Sequence, residues 1–155
     1  MEMLTTEKLS EVQKTELFQL WNKEYPQNLS LHDIASLEKY LDSLSDPFYT
    51  LLINKEGQIQ AWFADFNRDD ARWFAMIIDS QLQGKGNGTM LIEDAKKRQS
   101  ALNGWVIDDE NYKKSDNTFY RSPLGFYKKN GFKVTRDTRL ELEKFSAVKI
   151  VWKSN

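Results

Sequence analysis

The 155-residue chain has no cysteine and one histidine, His32. Disulfides, thiolate zinc sites and thiol nucleophiles are therefore excluded, and a two-histidine metal motif cannot be built, so no metal is expected. A Ser-His-Asp hydrolase would have to use His32, which falls in the first turn of a predicted helix and reads as a surface residue. Proline and glycine are sparse, at 3 and 7 residues, and no segment has linker composition or internal repetition. Residues 1–155 are thus expected to form one domain, close to the rough prior of ~150 residues each. An excess of charge of one sign is also missing: 22 Lys and Arg face 23 Asp and Glu. That balance argues against a binder of the phosphate backbone, and nucleic acid is not an expected partner. No apolar run approaches the ~20 residues of a membrane span. Glu2, Glu7 and Lys8 stand where a signal peptide would need an apolar core. No membrane partner and a cytoplasmic location are expected. What the chain does have is apolar surface: 40% hydrophobic and 13% aromatic residues suffice for a packed core.

The apolar residues Leu9, Val12, Leu17, Leu20, Trp21 and Tyr25 recur at roughly helical spacing, and Pro26 ends the pattern. Ile34, Leu37, Leu41 and Leu44 form a second stripe, for which Ser30 and Asp33 resemble a capping pair. After Asp46-Pro47, Phe48–Ile53 and Ile59–Phe66 flank a Gly57-containing turn and predict a hairpin. Trp73–Ile78 is apolar without alternation, the pattern of a strand covered on both faces. A Gly-rich turn follows, then a helix with Gly88, Leu91, Ile92, Ala95 and Gln99 along one side, and Trp105–Ile107 returns as a short strand after Asn103-Gly104. Strand, crossover helix and strand make that pair parallel. Asp108–Arg121 is polar and aperiodic, Ser122–Asn130 reads as a short helix closed by Gly131, and Phe132–Thr135 and Ala147–Trp152 are the last strands. Trp21, Trp62, Trp73 and Trp105, on periodic segments, are expected in the core. The sum is an α/β (α+β) domain: a mixed, mainly antiparallel sheet with one central parallel pair.

The stretch Gln83-Gly84-Lys85-Gly86-Asn87-Gly88-Thr89 lies between the apolar strand and an amphipathic helix. Glycines let the backbone approach a ligand, and the unpaired N–H groups of a helix start, at the positive end of its dipole, suit an anion such as a pyrophosphate. The dinucleotide fingerprint G-x-G-x-x-G fails, because Thr89 or Leu91 stands where the third Gly belongs. The P-loop fails because Gly86, not Ser or Thr, follows Lys85.

The stretch does resemble the acyl-CoA signature Gln/Arg-x-x-Gly-x-Gly/Ala of the GNAT N-acyltransferase superfamily, matched by Gln83, Gly86 and Gly88. Phe126-Tyr127-Lys128-Lys129-Asn130-Gly131-Phe132 is similar to the aromatic-Tyr-x-x-x-Gly-Phe segment that closes the last helix of those enzymes. The resemblance implies a sheet of about six or seven strands flanked by about four helices. It implies an N-acetyltransferase that moves acetyl from acetyl-CoA, as co-substrate, to a primary amine by direct attack, the amine belonging to a small molecule or a peptide. The CoA pyrophosphate would be held by main-chain N–H groups of Gln83, Gly84, Lys85, Gly86, Asn87, Gly88 and Thr89. The pantetheine arm would pair with the backbone near Ile77 and Ile78, and Tyr127 would protonate the departing thiolate. Many family members carry Asn and Ala seven and four residues before that Tyr, where this chain has Tyr120 and Pro123. No carboxylate in Trp73–Ile78 offers itself as a base, and Asp70, Asp79 and Asp108 lie near its ends or on the neighbouring strand. The base is thus left open by the sequence, with a water relay or an amine arriving unprotonated among the alternatives. A non-catalytic acyl-CoA binding or sensing module is the alternative, and a homodimer is the commonest assembly to expect.

Overall fold

In the computed structural model, which describes residues 1–155, seven strands form one sheet. In chain order the elements are β1 (Glu2–Thr6), α1 (Glu11–Glu24), α2 (Ile34–Asp42), β2 (Ser45–Ile53), β3 (Ile59–Arg68), β4 (Ala71–Ile78), α3 (Asn87–Arg98), β5 (Ala101–Val106), α4 (Leu124–Lys129), β6 (Lys133–Glu141) and β7 (Ser146–Lys153). Spatially the strands run β1-β2-β3-β4-β5-β7-β6. Every neighbouring pair is antiparallel except β4 and β5, which are parallel as the crossover through α3 requires. No helix is long and apolar enough to cross a membrane.

The helix starts follow from side-chain capping. Ser10 closes α1 with a capping box, its Oγ accepting from the Gln13 N–H at 3.1 Å while the Ser10 N–H donates to Gln13 Oε1 at 2.9 Å. Asp33, not Ser30, caps α2: the Ser36 N–H donates to Asp33 Oδ1 at 2.9 Å. A capping side chain must sit immediately before the first helical residue to reach the orphan N–H groups, and Ser30 is too far upstream of Ile34. His32 is exposed in the bend before that cap.

Period-two alternation along β3 divides the interior into two layers. Trp62, Ala64 and Phe66 join Trp73 and Ile77 of β4 beneath Leu17, Leu20, Trp21, Leu37 and Leu41 of α1 and α2. Phe63 and Phe74 point the other way, against Leu91, Ile92 and Ala95 of α3 and Tyr127 of α4. Trp62 and Phe63 are wholly buried on opposite faces.

Three strands differ from the sequence expectation. β1 carries only Met3 and Leu4 as apolar residues, too few to show a period, and it pairs with β2 at the edge of the sheet. Asn103-Gly104, with the composition of a turn, lies inside β5, which starts at Ala101. Gly104 is there for space, since a Cβ on it would stand 2.8 Å from Phe74 Cε1. β6 continues past Thr135 through the exposed charged run to Glu141 on the opposite edge, where charges discourage pairing with other chains.

The feature that positions the site is the β4–β5 seam. Only Trp73 and Asn103 are in register, although β4 runs on to Ile78 and β5 to Val106. Beyond that rung the β5-facing edge of β4 has no strand partner.

Candidate active site

A cleft of about 640 Å³ opens where β4 and β5 part, lined by Met76–Ile78 of β4, by Gln83, Gly84, Gly86, Gly88 and Thr89, by Tyr120–Pro123, and by Phe126 and Tyr127 of α4. The backbone from Gly84 to Gly86 turns through the left-handed region at Gly84 (φ 77°) and Gly86 (φ 86°), which L side chains rarely adopt. None of the N–H groups of Gly84–Thr89 makes a hydrogen bond within the chain; the first helical bond runs from the Met90 N–H to the Gly86 carbonyl at 3.1 Å. Glycine serves different purposes along this stretch. A Cβ on Gly86 would meet nothing within 4 Å, whereas one on Gly88 would stand 2.8 Å from Phe126 Cζ and 3.0 Å from Ile78 Cδ1. Gly88 therefore lets α3 approach β4 and α4, so bulk there disturbs packing as well as the cleft.

The side chains of the turn brace it. Gln83 Nε2 donates to the Ile78 carbonyl at 3.1 Å, and Asn87 Nδ2 donates to the Leu82 carbonyl at 3.1 Å. Lys85 is exposed at the rim. Ile77 and Ile78 are not equivalent. The Asp79 N–H bonds the Gln60 carbonyl across the unbroken β3–β4 register, so by alternation the polar groups of Ile77 are turned to Trp62, while those of Met76 and Ile78 face the open side. Ile77 is nonetheless among the residues that line the cleft.

Tyr127 is 5% exposed, and its ring is held edge-on by Phe74, Phe126 and Phe132 at centroid distances of 5.1–5.5 Å. Its hydroxyl has no hydrogen-bond partner in the chain. Burial, with a smaller contribution from Tyr120, pushes its pKa well above the ordinary phenol value, so the O–H is intact at any ordinary pH.

The opposite wall is built by the first helix and the Asp108–Arg121 loop, as the sequence leads one to expect of an acceptor pocket, but its central residue is not singled out there. Glu24, the last residue of α1, is 6% exposed and lines the cleft beside Tyr25. Its Oε1 accepts from Lys114 Nζ at 3.0 Å and its Oε2 from the Ser80 N–H at 2.9 Å, with Lys23 Nζ at 3.7 Å. Lys23 in turn bonds Asp79 at 2.7 Å. Burial raises the pKa of both Tyr25 and Tyr120, which stay neutral. Lys114 and Tyr120 belong to the long Asp108–Arg121 segment, which contains a small hairpin: Lys113 pairs with Phe119, and the Lys114 N–H bonds the Thr118 carbonyl at 2.8 Å. It is tied down by the Gln27 N–H to the Lys113 carbonyl at 2.7 Å and by a two-pronged Asp108–Arg139 pair at 3.0 Å. The Arg139 guanidinium holds the Asp108 carboxyl below the usual range. No cluster of three His, Asp or Glu side chains is placed to hold a metal ion.

The chain matches the model of the acetyltransferase (GNAT) domain over residues 46–134. Solved structures share the fold. An aminoglycoside 6'-N-acetyltransferase complexed with coenzyme A superposes with a TM-score of 0.72 at 11% identity, over 99% of this chain and 97% of that one. YjaB from Escherichia coli, in its apo form, gives 0.63 at 21% identity over 100% of both chains, and the NatC complex bound to Gag peptide and CoA gives 0.62 at 15% over 100% of both. No curated protein matches in sequence. Because the family model spans more than half of the residues and includes the parted strands, the Gly-rich turn and Tyr127, the chain belongs to the GNAT acetyltransferase family.

Proposed function

We propose that the protein transfers acetyl from acetyl-CoA to a primary amine. The observation that carries this reading is the run of unsatisfied N–H groups from Gly84 to Thr89 at the start of α3, beside an unpaired strand edge. The main-chain donors of Gly84–Thr89 would hold the pyrophosphate, with the α3 dipole adding to the attraction, whereas the Gln83 N–H is already taken by the Ser80 carbonyl at 3.4 Å. Arg121 and Lys129, both in the cleft and outside any ion pair, would face the phosphates. The pantetheine amides would pair as an added strand with Met76 and Ile78, whose polar groups face the opening, while Ile77 lines the cleft.

The amine, having lost a proton to solvent, attacks the thioester carbonyl carbon; a C–N bond forms, the C–S bond breaks, and the electron pair leaves with sulfur. The Tyr127 O–H gives its proton to that sulfur as its charge develops, and the second proton of the attacking nitrogen passes through solvent to restore the phenol. Protonated at the start of each turnover, Tyr127 needs no activation to act as the donor.

The test is release of free thiol from acetyl-CoA in the presence of a panel of primary amines, with N-acetyl product identified by mass. Amine-dependent thiol release is expected. Acetyl-CoA binding without thiol release from any amine would make the protein a binding module instead.

A further inference from the structure

Resting on the proposed acetyl transfer, we infer that Glu24 is the receptor for the acceptor's ammonium group and that Lys114 is its built-in competitor. The carboxylate stands in the cleft wall at 6% exposure, and one of its oxygens is held by the Ser80 N–H at 2.9 Å. The other oxygen is occupied by a primary alkylammonium, Lys114 Nζ at 3.0 Å, which is the chemical group of an amine acceptor before deprotonation. The chain's own lysine thus displays what the subsite accepts. Tyr25, Tyr120 and Tyr127, kept neutral by burial, line the same cleft. Rings and a carboxylate together attract a cation and repel an anion. The acceptor class is therefore a primary alkylamine with an apolar or aromatic body and no carboxylate next to the amine. A free α-amino acid would bring its own carboxylate against Glu24.

The pair also admits a purely structural reading, in which it only straps the Asp108–Arg121 segment to α1. The two readings differ in sign. If Lys114 competes with the acceptor, Lys114→Met frees Glu24, which keeps the Ser80 N–H and Lys23 as partners, and acceptor KM falls. Glu24→Gln removes the receptor, and acceptor KM rises. If the pair is only a strap, both variants loosen the same wall and shift KM in the same direction.

The experiment measures kcat and KM with 2-phenylethylamine and with phenylalanine, which has the same body plus an α-carboxylate, in the wild-type protein and both variants. Acetyl-CoA affinity is followed by calorimetry and folding by thermal melting. We expect 2-phenylethylamine to be favoured over phenylalanine in kcat/KM by roughly tenfold or more, and Glu24→Gln to raise its KM by a similar factor, the loss of one charge-assisted hydrogen bond. Lys114→Met should lower that KM with acetyl-CoA affinity unchanged. A same-direction shift in both variants, an unchanged KM in Glu24→Gln, or phenylalanine as the better substrate would overturn the inference. So would a wild-type protein that binds acetyl-CoA and acetylates other amines but not 2-phenylethylamine. Loss of acetyl-CoA binding in the wild type would overturn the acetyltransferase reading itself. Should Glu24→Gln fail to fold, Lys114→Met and the substrate pair still decide the matter.

Discussion

At the Gly84–Thr89 end of the cleft the groups facing open space are main-chain N–H donors from one contiguous stretch. At the Glu24 end they are side chains that α1, the segment after β4 and the Asp108–Arg121 loop bring together from three places. The first end needs little from its side chains beyond the absence of a Cβ and a left-handed turn. It suits a ligand of fixed chemistry, because backbone donors recognise negative charge whatever carries it. The second end depends on side-chain identity, and a substitution at Glu24, Tyr25, Lys114 or Tyr120 rewrites its charge and shape without touching the cradle. One fold can therefore keep a donor constant while its acceptor changes.

The largest expected effect separates chemistry from both ends. Tyr127→Phe keeps the ring among Phe74, Phe126 and Phe132 and removes only the O–H. Steady-state kinetics should show kcat lowered by ~10²–10⁴-fold with acetyl-CoA affinity and melting midpoint little changed. Because burial holds the phenol protonated, that ratio should stay constant from about pH 6 to about pH 9 rather than vanish on one limb. Full kcat in the variant would reduce Tyr127 to a packing residue.

Next in size is the cradle. Gly86→Val forces a β-branched residue into φ 86° where no protein atom lies within 4 Å of the new Cβ, so the strain and bulk fall on the turn itself. Calorimetry should show acetyl-CoA binding weakened by roughly two orders of magnitude or lost, a few kcal/mol being typical of strain at such a backbone position. Unchanged affinity in the folded variant would remove the cradle from the account. Asn87→Ala, which loses one brace to the Leu82 carbonyl, should cost far less, about the ~1 kcal/mol of a single hydrogen bond.

Smaller still, and confined to the other end, is shortening Glu110–Thr118, which removes Lys114 and the small hairpin. The KM for amine should shift while that for acetyl-CoA stays within about twofold. Equal effects on both would show that the two ends are not independent.

The same contrast explains what the sequence makes legible. The turn and Tyr127 are visible because their residues are adjacent or regularly spaced, and glycine leaves few alternative explanations for its presence. The two-faced sheet is visible because Trp62–Phe63 and Trp73–Ile78 are apolar at every position. Glu24 is hidden because it closes a helix as an ordinary charged residue, and its partners Ser80 and Lys114 come from distant parts of the chain. β5 is misread at Asn103-Gly104 because the reason for Gly104 is the Phe74 ring on the neighbouring strand, a contact that no local pattern records. The capping error at Ser30 is of another kind: both Ser30 and Asp33 are good caps, and only the start of α2 at Ile34 chooses between them.

The most direct test of the two-ended cleft is hydrogen exchange of the wild-type protein with and without acetyl-CoA, resolved to single amides. The account predicts slowed exchange at Ile78 and across Gly84–Thr89, whose N–H groups have no partner in the free chain, with Asn22–Leu31 and Tyr112–Tyr120 left as they were. Protection concentrated at Asn22–Leu31 and Tyr112–Tyr120, with Gly84–Thr89 exchanging as fast as before, would contradict it.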